Sequence, residues 1–368
     1  MVLQNNKGFV TFLSSLLFFC AVNNTAMGKG STMNIENDTR KGSIVKVSSN
    51  NDFNKSQLKI YFPYVGEADC FVLTYKEKEG ETKAFIIDAG EGLSLRKEKT
   101  DIIAKLKDIR IKEIEGFVLT HPHFDHFWNM EYIFENFTEK TFGDKIKNFY
   151  YNTLYEDYDT VNFEDYISSI RYDAKVIKAL KRKYGENYKE NEDFKRGRVH
   201  IGEILYQAHD NNFTIKVVGP VHKSKSFNDN SIVLLITYFN IKIMLMADAG
   251  IKEEKDIINY CKEEGIDISN LDMIKIGHHG HTSSSCEELI VATKPKDVIC
   301  STGPHTCSLG LFNWHEKSSV VNRWKRCREN EVENTNVNYY STQDHGDITA
   351  FTKEKEEGAY ELCIKTTE

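Results

Sequence analysis

The chain has 368 residues, 40% of them hydrophobic and 28% charged, with a formal net charge of −7. That length buries a sizeable core, and the composition excludes a disordered or collagen-like chain. The negative balance excludes a global pull toward nucleic acid and leaves that part to a local basic patch.

The first residues read as an export signal. Lys7 is the positive start, Phe9 to Val22 an apolar run, and Ala26-Met27-Gly28 a small-x-small cleavage site. The run is shorter than the about 20 apolar residues of a comfortable membrane helix. Residues 1–28 are therefore expected to be a signal peptide or a membrane anchor. The protein is expected to be exported: secreted, periplasmic or held at a membrane by this segment. Residues 29–56, rich in Ser, Asn, Lys and Gly, read as a flexible linker, and 57–368 as the folded domain. The cysteines beyond residue 28 form no CxxC pair, and buried free thiols are the better reading.

Short β-rich runs follow: Lys59 to Val65, Cys70 to Tyr75, and Ala84 to Ile87, which ends in Asp88-Ala89-Gly90. Thr100 to Lys107 reads as a helix, and Gly116 to Thr120 as a buried strand. Residues 143–198 carry many tyrosines and charges, with helical spacing over Ile167 to Tyr184. They read as a helical insertion. Its basic stretch is either a solvated face or a wall for an anionic substrate. The β pattern resumes at Phe213 to Val218, Ser231 to Tyr238 and Lys242 to Ala247. A helix over Glu253 to Glu264 and a strand over Met273 to Ile276 come next. Then follow a helix from Glu287, which Ser284 or Ser285 would cap, a strand over Val298 to Ser301, a helix over Lys317 to Arg328 and a strand over Val337 to Ser341. Two strand-rich halves with interleaved helices suggest two packed sheets covered by helices.

The strongest chemical signal is Thr120-His121-Pro122-His123-Phe124-Asp125-His126. Imidazoles and a carboxylate crowd into one loop directly after a buried strand. These are the ligand types that borderline metals such as zinc prefer, on a rigid base. T-H-P-H-F-D-H resembles the signature of the metallo-β-lactamase superfamily. The resemblance implies an α/β fold, a four-layer αββα sandwich with metals at the edge between its sheets, and covers about 58–353. By the same resemblance Asp88 is an early structural aspartate, Asp248 the aspartate between the metals, and His278 the late histidine ligand. Within the family the chain is similar to the ComEC-like subgroup, the hydrolase domain of a DNA-uptake channel protein. Asn228-Asp229-Asn230-Ser231, Lys275-Ile276-Gly277-His278-His279-Gly280-His281, His315 and Asp344-His345-Gly346-Asp347 carry that similarity.

The resemblance implies two divalent ions, zinc or alternatively manganese, held by His121, His123, Asp125, His126, Asp248 and His278. A further histidine ligand often precedes the Asp248 strand. His222 is the nearest fit, although the first metal would also be complete with His121, His123, Asp248 and water. His279 is an alternative to His278, because adjacent residues at a strand end point opposite ways. The implied chemistry is hydrolysis by a hydroxide that two metals activate. Asp125 would orient it, and His315 would protonate the leaving group or hold a phosphate. The expected function is a phosphodiesterase or nuclease outside the cytoplasm, with a phosphodiester or ester substrate, DNA among the candidates, and no stable protein partner evident. The alternatives are an exported small-molecule esterase, of phosphorylcholine esterase or lactonase type, and a non-catalytic metal-binding module.

Overall fold

The computed structural model describes residues 50–77, 80, 82–90, 114–137, 146–152, 163–187, 199–303, 320, 322–324, 337–356 and 358–367. The expected signal segment, the helix at Thr100 to Lys107, His315 and most of the helix at Lys317 to Arg328 lie outside them. All described residues belong to one compact unit, Lys46–Glu368. Among the described residues no helix is long and apolar enough to cross a membrane.

A short helix, α1 (Asn50–Lys55), opens the described part. It lies within the stretch expected as linker. Phe53 sets its ring edge-on to Phe351, with centroids 5.2 Å apart. The first sheet contains β1 (Leu58–Phe62), β2 (Phe71–Lys76), β3 (Thr82–Ile87), β4 (Ile114–Leu119), β5 (Ile146–Tyr151), β13 (Ile348–Glu356) and β14 (Ala359–Thr366), in the order β14-β13-β1-β2-β3-β4-β5. The second contains β6 (Ile204–Gln207), β7 (Phe213–Gly219), β8 (Val233–Tyr238), β9 (Ile241–Leu245), β10 (Met273–Lys275), β11 (Asp297–Cys300) and β12 (Asn338–Ser341), in reverse chain order. Strand β5 falls inside the stretch expected as helical insertion. It pairs parallel with β4, Phe117 opposite Phe149 and Leu119 opposite Tyr151. Its tyrosines are buried sheet residues, so the inserted part begins after it. The strand β6 and the β13–β14 hairpin also lie where the pattern predicts none. Strand β6 is only four residues long with both ends exposed, and the charged end of β13, Lys353 to Glu356, masks its alternation.

One apolar cluster fills the space between the sheets, with Ile60, Leu73 and Phe85 from the first against Ile215, Ile236 and Ile243 from the second. A second cluster covers the outer face of the first sheet. There Phe127, α3 (Met130–Phe137) and α4 (Phe163–Tyr184) bring Met130, Ile133, Tyr172 and Val176 onto Phe117 and Phe149. A third cluster seats α5 (Ile251–Glu263) and α6 (Glu287–Thr293) on the outer face of the second sheet. The layers are thus helix, sheet, sheet, helix, as expected. Sheets covered on both faces explain why β2 and β11 are near-continuous apolar runs rather than alternating ones.

The parallel strands β3 and β4 in one sheet, and β9, β10 and β11 in the other, end toward a common edge. Ligand sites of α/β sheets lie off such carboxyl ends. A backbone bond from Ile232 to the Thr120 carbonyl, 3.0 Å, ties the two edges together.

Candidate metal centre

Each functional loop leaves the end of a buried strand. The Thr120–His126 loop follows β4, and its last residues form the one-turn helix α2 (Phe124–Phe127). Asp88 follows β3, Asp248 follows β9, and His278 and His279 follow β10. Left-handed backbone at non-glycine residues clusters here: φ is 60° at Asp88, 46° at Ala247, 45° at His278 and 50° at His279. Such conformations persist only where the surroundings impose them, and they gather at functional sites.

The structure brings His121, His123 and Asp248 into one group, and Asp125, His126, Asp248 and His279 into another, the ligand atoms of each group within 4.8 Å of one another. Asp248 belongs to both. Its carboxylate lies 3.8 Å from His121 Nε2, 3.3 Å from His126 Nε2 and 3.5 Å from His279 Nε2. Asp125 Oδ2 is 3.0 Å from His279 Nε2 and 3.5 Å from His126 Nε2.

Two expectations change. His279, not His278, joins the clustered groups. The two successive left-handed residues turn His279 inward, where it is buried. His278 stays at the rim, its Nδ1 2.6 Å from Ser283 Oγ and its Nε2 4.0 Å from Asp248. His222 is exposed beyond β7 and joins no group, which leaves His121, His123 and Asp248 as the first set.

Hydrogen bonds fix which ring nitrogen faces inward. The His126 Nδ1–H donates to Asp88 Oδ2 at 2.7 Å, and Asp88 also accepts from the Thr120 N–H and hydroxyl at 2.8 and 2.7 Å. Since the Thr120 hydroxyl proton goes to Asp88, its oxygen accepts from His121 Nδ1–H, 3.1 Å away. The His279 Nδ1–H donates to the Ser301 carbonyl at 2.9 Å. All three rings therefore turn Nε2 toward Asp248, the arrangement in which outer partners orient metal-binding imidazoles. Among the described residues, His126 Nε2 and Asp248 Oδ1 are buried without a hydrogen-bond partner. Buried polar atoms rarely stay unpaired, so two of them aimed at one point, in an imidazole–carboxylate set, fit a bound cation.

Burial and neighbouring charge act differently on the imidazoles. Burial is the largest influence on His121 and, with His126 and His123 nearby, holds its imidazole well below the usual range. Burial also acts to lower His279, but Asp248, Asp69 and the Asp125 bond outweigh it and lift the imidazole to about 9.

Two residues to which the sequence reading gave no role complete the floor. Lys275, fully buried on β10, donates to Asp69 Oδ2 and, at 2.9 Å, to the Ala247 carbonyl. Asp69 is also fully buried, and its Oδ1 lies 3.5 Å from His279 Nδ1. The lone lysine in the apolar run Met273-Ile274-Lys275-Ile276 was the available signal. Other motif residues prove structural. Ser231 Oγ accepts from the Asp248 N–H at 3.2 Å, Asp347 accepts from the Tyr64 N–H and the Tyr61 hydroxyl, and Asn230 bonds the backbone of Ser224 and Ser226. Helix α6 is capped by Cys286 Sγ, which accepts from the Leu289 N–H, rather than by Ser284 or Ser285. Among the described residues the cysteines are free thiols, with Cys70, Cys261, Cys286 and Cys300 buried.

The sequence model of the metallo-beta-lactamase superfamily matches residues 64–301. The ComE operon protein 3 of Bacillus subtilis (strain 168) is 25% identical over 213 residues, 56% of this chain; the match spans 23% of that longer protein. Among solved structures, the metallo-beta-lactamase fold protein YhfI from Bacillus subtilis is 10% identical with a TM-score of 0.41, over 77% of this chain and 96% of that one. A long-form RNase Z from yeast is 11% identical with a TM-score of 0.39, over 81% and 42%. A diphosphatase from the PhnP family is 12% identical with a TM-score of 0.38, over 83% and 100%.

Proposed function

The chain belongs to the metallo-beta-lactamase superfamily, and we propose that it is a metal-dependent phosphodiesterase of nuclease type acting outside the cytoplasm. The observation that carries the reading is the pair of ligand groups sharing Asp248. His121 and His123 would hold one divalent ion, Asp125, His126 and His279 a second, with Asp248 serving both. Such a pair, zinc or manganese, supplies Lewis acidity and acidifies water near neutral pH. Asp88, Thr120 and Ser301 keep the imidazoles aimed. Asp125, partly accessible at 28%, faces the open side and orients the attacking water. His278 stands at the rim between Ser283 and Asn228 and is placed to hydrogen-bond a bound substrate. The likeness to the ComE operon protein 3 supports a polynucleotide substrate, and the apolar run near the N-terminus supports export.

The test is hydrolysis of bis-p-nitrophenyl phosphate and of single-stranded DNA by the metal-loaded chain, with His123→Ala as control. Cleavage of both, lost in the control, supports the reading. Cleavage of the small ester with intact DNA shifts it to a small-molecule esterase. No activity on either contradicts it.

A further inference from the structure

Helix α4 is fastened to the metal-binding loop along its length. The Ser168 hydroxyl donates to the Pro122 carbonyl at 2.5 Å, between His121 and His123 in the chain. Tyr172 sets its ring edge-on to Phe127, centroids 5.4 Å apart. Lys175 Nζ donates to the Trp128 carbonyl at 3.1 Å. Arg171, one turn beyond Ser168, is thereby held beside the loop. Its guanidinium lies 5.5 Å from the centroid of Phe124, the residue between His123 and Asp125, and 5.6 Å from that of Trp128.

Three other cations of the helix, Lys175, Lys178 and Lys181, are ion-paired. Glu131 pairs with Lys175 at 3.1 Å and with Lys178 at 2.5 Å, and Glu186 pairs with Lys181 at 2.7 Å. Arg171 is exposed and has no ion pair among the described residues. A guanidinium seated on aromatic rings is oriented yet keeps its N–H edge for an anion. The neighbouring centre gathers the carboxylates of Asp88, Asp125 and Asp248, so a polyanionic substrate needs a cation of this kind at its margin.

We propose that Arg171, braced by Phe124 and Trp128, is a substrate-binding residue that takes a phosphate flanking the scissile one in a nucleic-acid strand. This rests on the phosphodiesterase reading above. It makes α4 a substrate wall rather than only a cover for the sheet. The forked N–H donors of Arg171 pair with phosphate oxygens, and its flat face offers a base a stacking surface.

The test measures binding of a fluorescent single-stranded phosphorothioate oligonucleotide, which resists cleavage, to the metal-loaded full chain across a salt series. Arg171→Ala should weaken binding about tenfold and reduce the slope of log affinity against log salt by about 0.7, one phosphate contact on a single strand. Arg171→Lys should keep the slope. Metal content and melting temperature should not change, because the side chain is exposed. Binding and slope equal to wild type would overturn the proposal, as would a wild-type chain that does not bind at low salt. Turnover of bis-p-nitrophenyl phosphate by the wild type, read separately, reports on the phosphodiesterase reading itself. Substrate binding can thus fail at Arg171 while that reading stands.

Discussion

Lys275 and Asp69 show how single residues hold the site. Both are fully buried, Lys275 on β10 and Asp69 just before β2, beneath a centre that also gathers Asp88, Asp125 and Asp248. Lys275 is a permanent cation among these carboxylates, and Asp69 and Asp248 hold its ammonium charged despite a burial that opposes it. Breaking a buried pair strands a charge and costs about 3–5 kcal/mol, whereas replacing both members with apolar groups costs far less. Lys275→Met should therefore lower unfolding stability by about that amount in a denaturant titration, and adding Asp69→Leu should restore much of it. Equal stability of the single and double variants would show that the pair is not coupled. Asp88 acts differently, through the tautomer of His126. Asp88→Ala should weaken metal binding by roughly 10–100-fold, measured by competition with a chelating dye, with the fold retained.

At the scale of elements, the loop after β10 decides which histidine enters the site. Gly277 has φ −66°, a value open to any residue, so its constraint is space: a Cβ there would lie 2.5 Å from the Ala249 carbonyl oxygen. Gly277→Ala should push the His279 turn away from the Asp248 turn and weaken metal binding at least roughly tenfold. Metal titration checks this, and unchanged affinity would mean that the turn adapts freely. The neighbouring helix α5 carries a pH-sensitive contact. Glu253 accepts from the Val221 N–H at 2.7 Å, and burial, with Asp256 and Asp229 adding to it, pushes its carboxyl up to about 8. The folded state then holds a proton that the unfolded state releases near pH 4.5. Its stabilising contribution is full below that pH and lost as pH rises through about 8. Glu253→Gln should gain stability relative to wild type across that window, and parallel stability profiles would contradict the assignment. Much of this scale was legible beforehand. His121, His123, Asp125 and His126 fall within six residues after a buried strand, so their pattern located them, and the family resemblance added Asp248. The choice of His279 over His278 was not legible, because it depends on two left-handed residues that no periodicity signals. Strand β5 was hidden because its tyrosines were read together with the helical insertion that follows it.

Across the whole molecule, the centre is a joint between sheets. His121, His123, Asp125, His126 and Asp88 come from the first sheet, and Asp248 and His279 from the second. A cation bound by both halves links them and favours the folded state by mass action, about 2.7 kcal/mol at a free concentration of 100 Kd. Chelation should lower the melting temperature, and returning zinc or manganese should restore it. The most direct test of a two-ion centre built on Asp248 is the metal content per chain of wild type and Asp248→Asn, purified and reconstituted side by side. The account predicts about two ions per wild-type chain and a marked loss from both positions in the variant. A wild-type chain that takes up no metal, or a variant that keeps the same number, would contradict it.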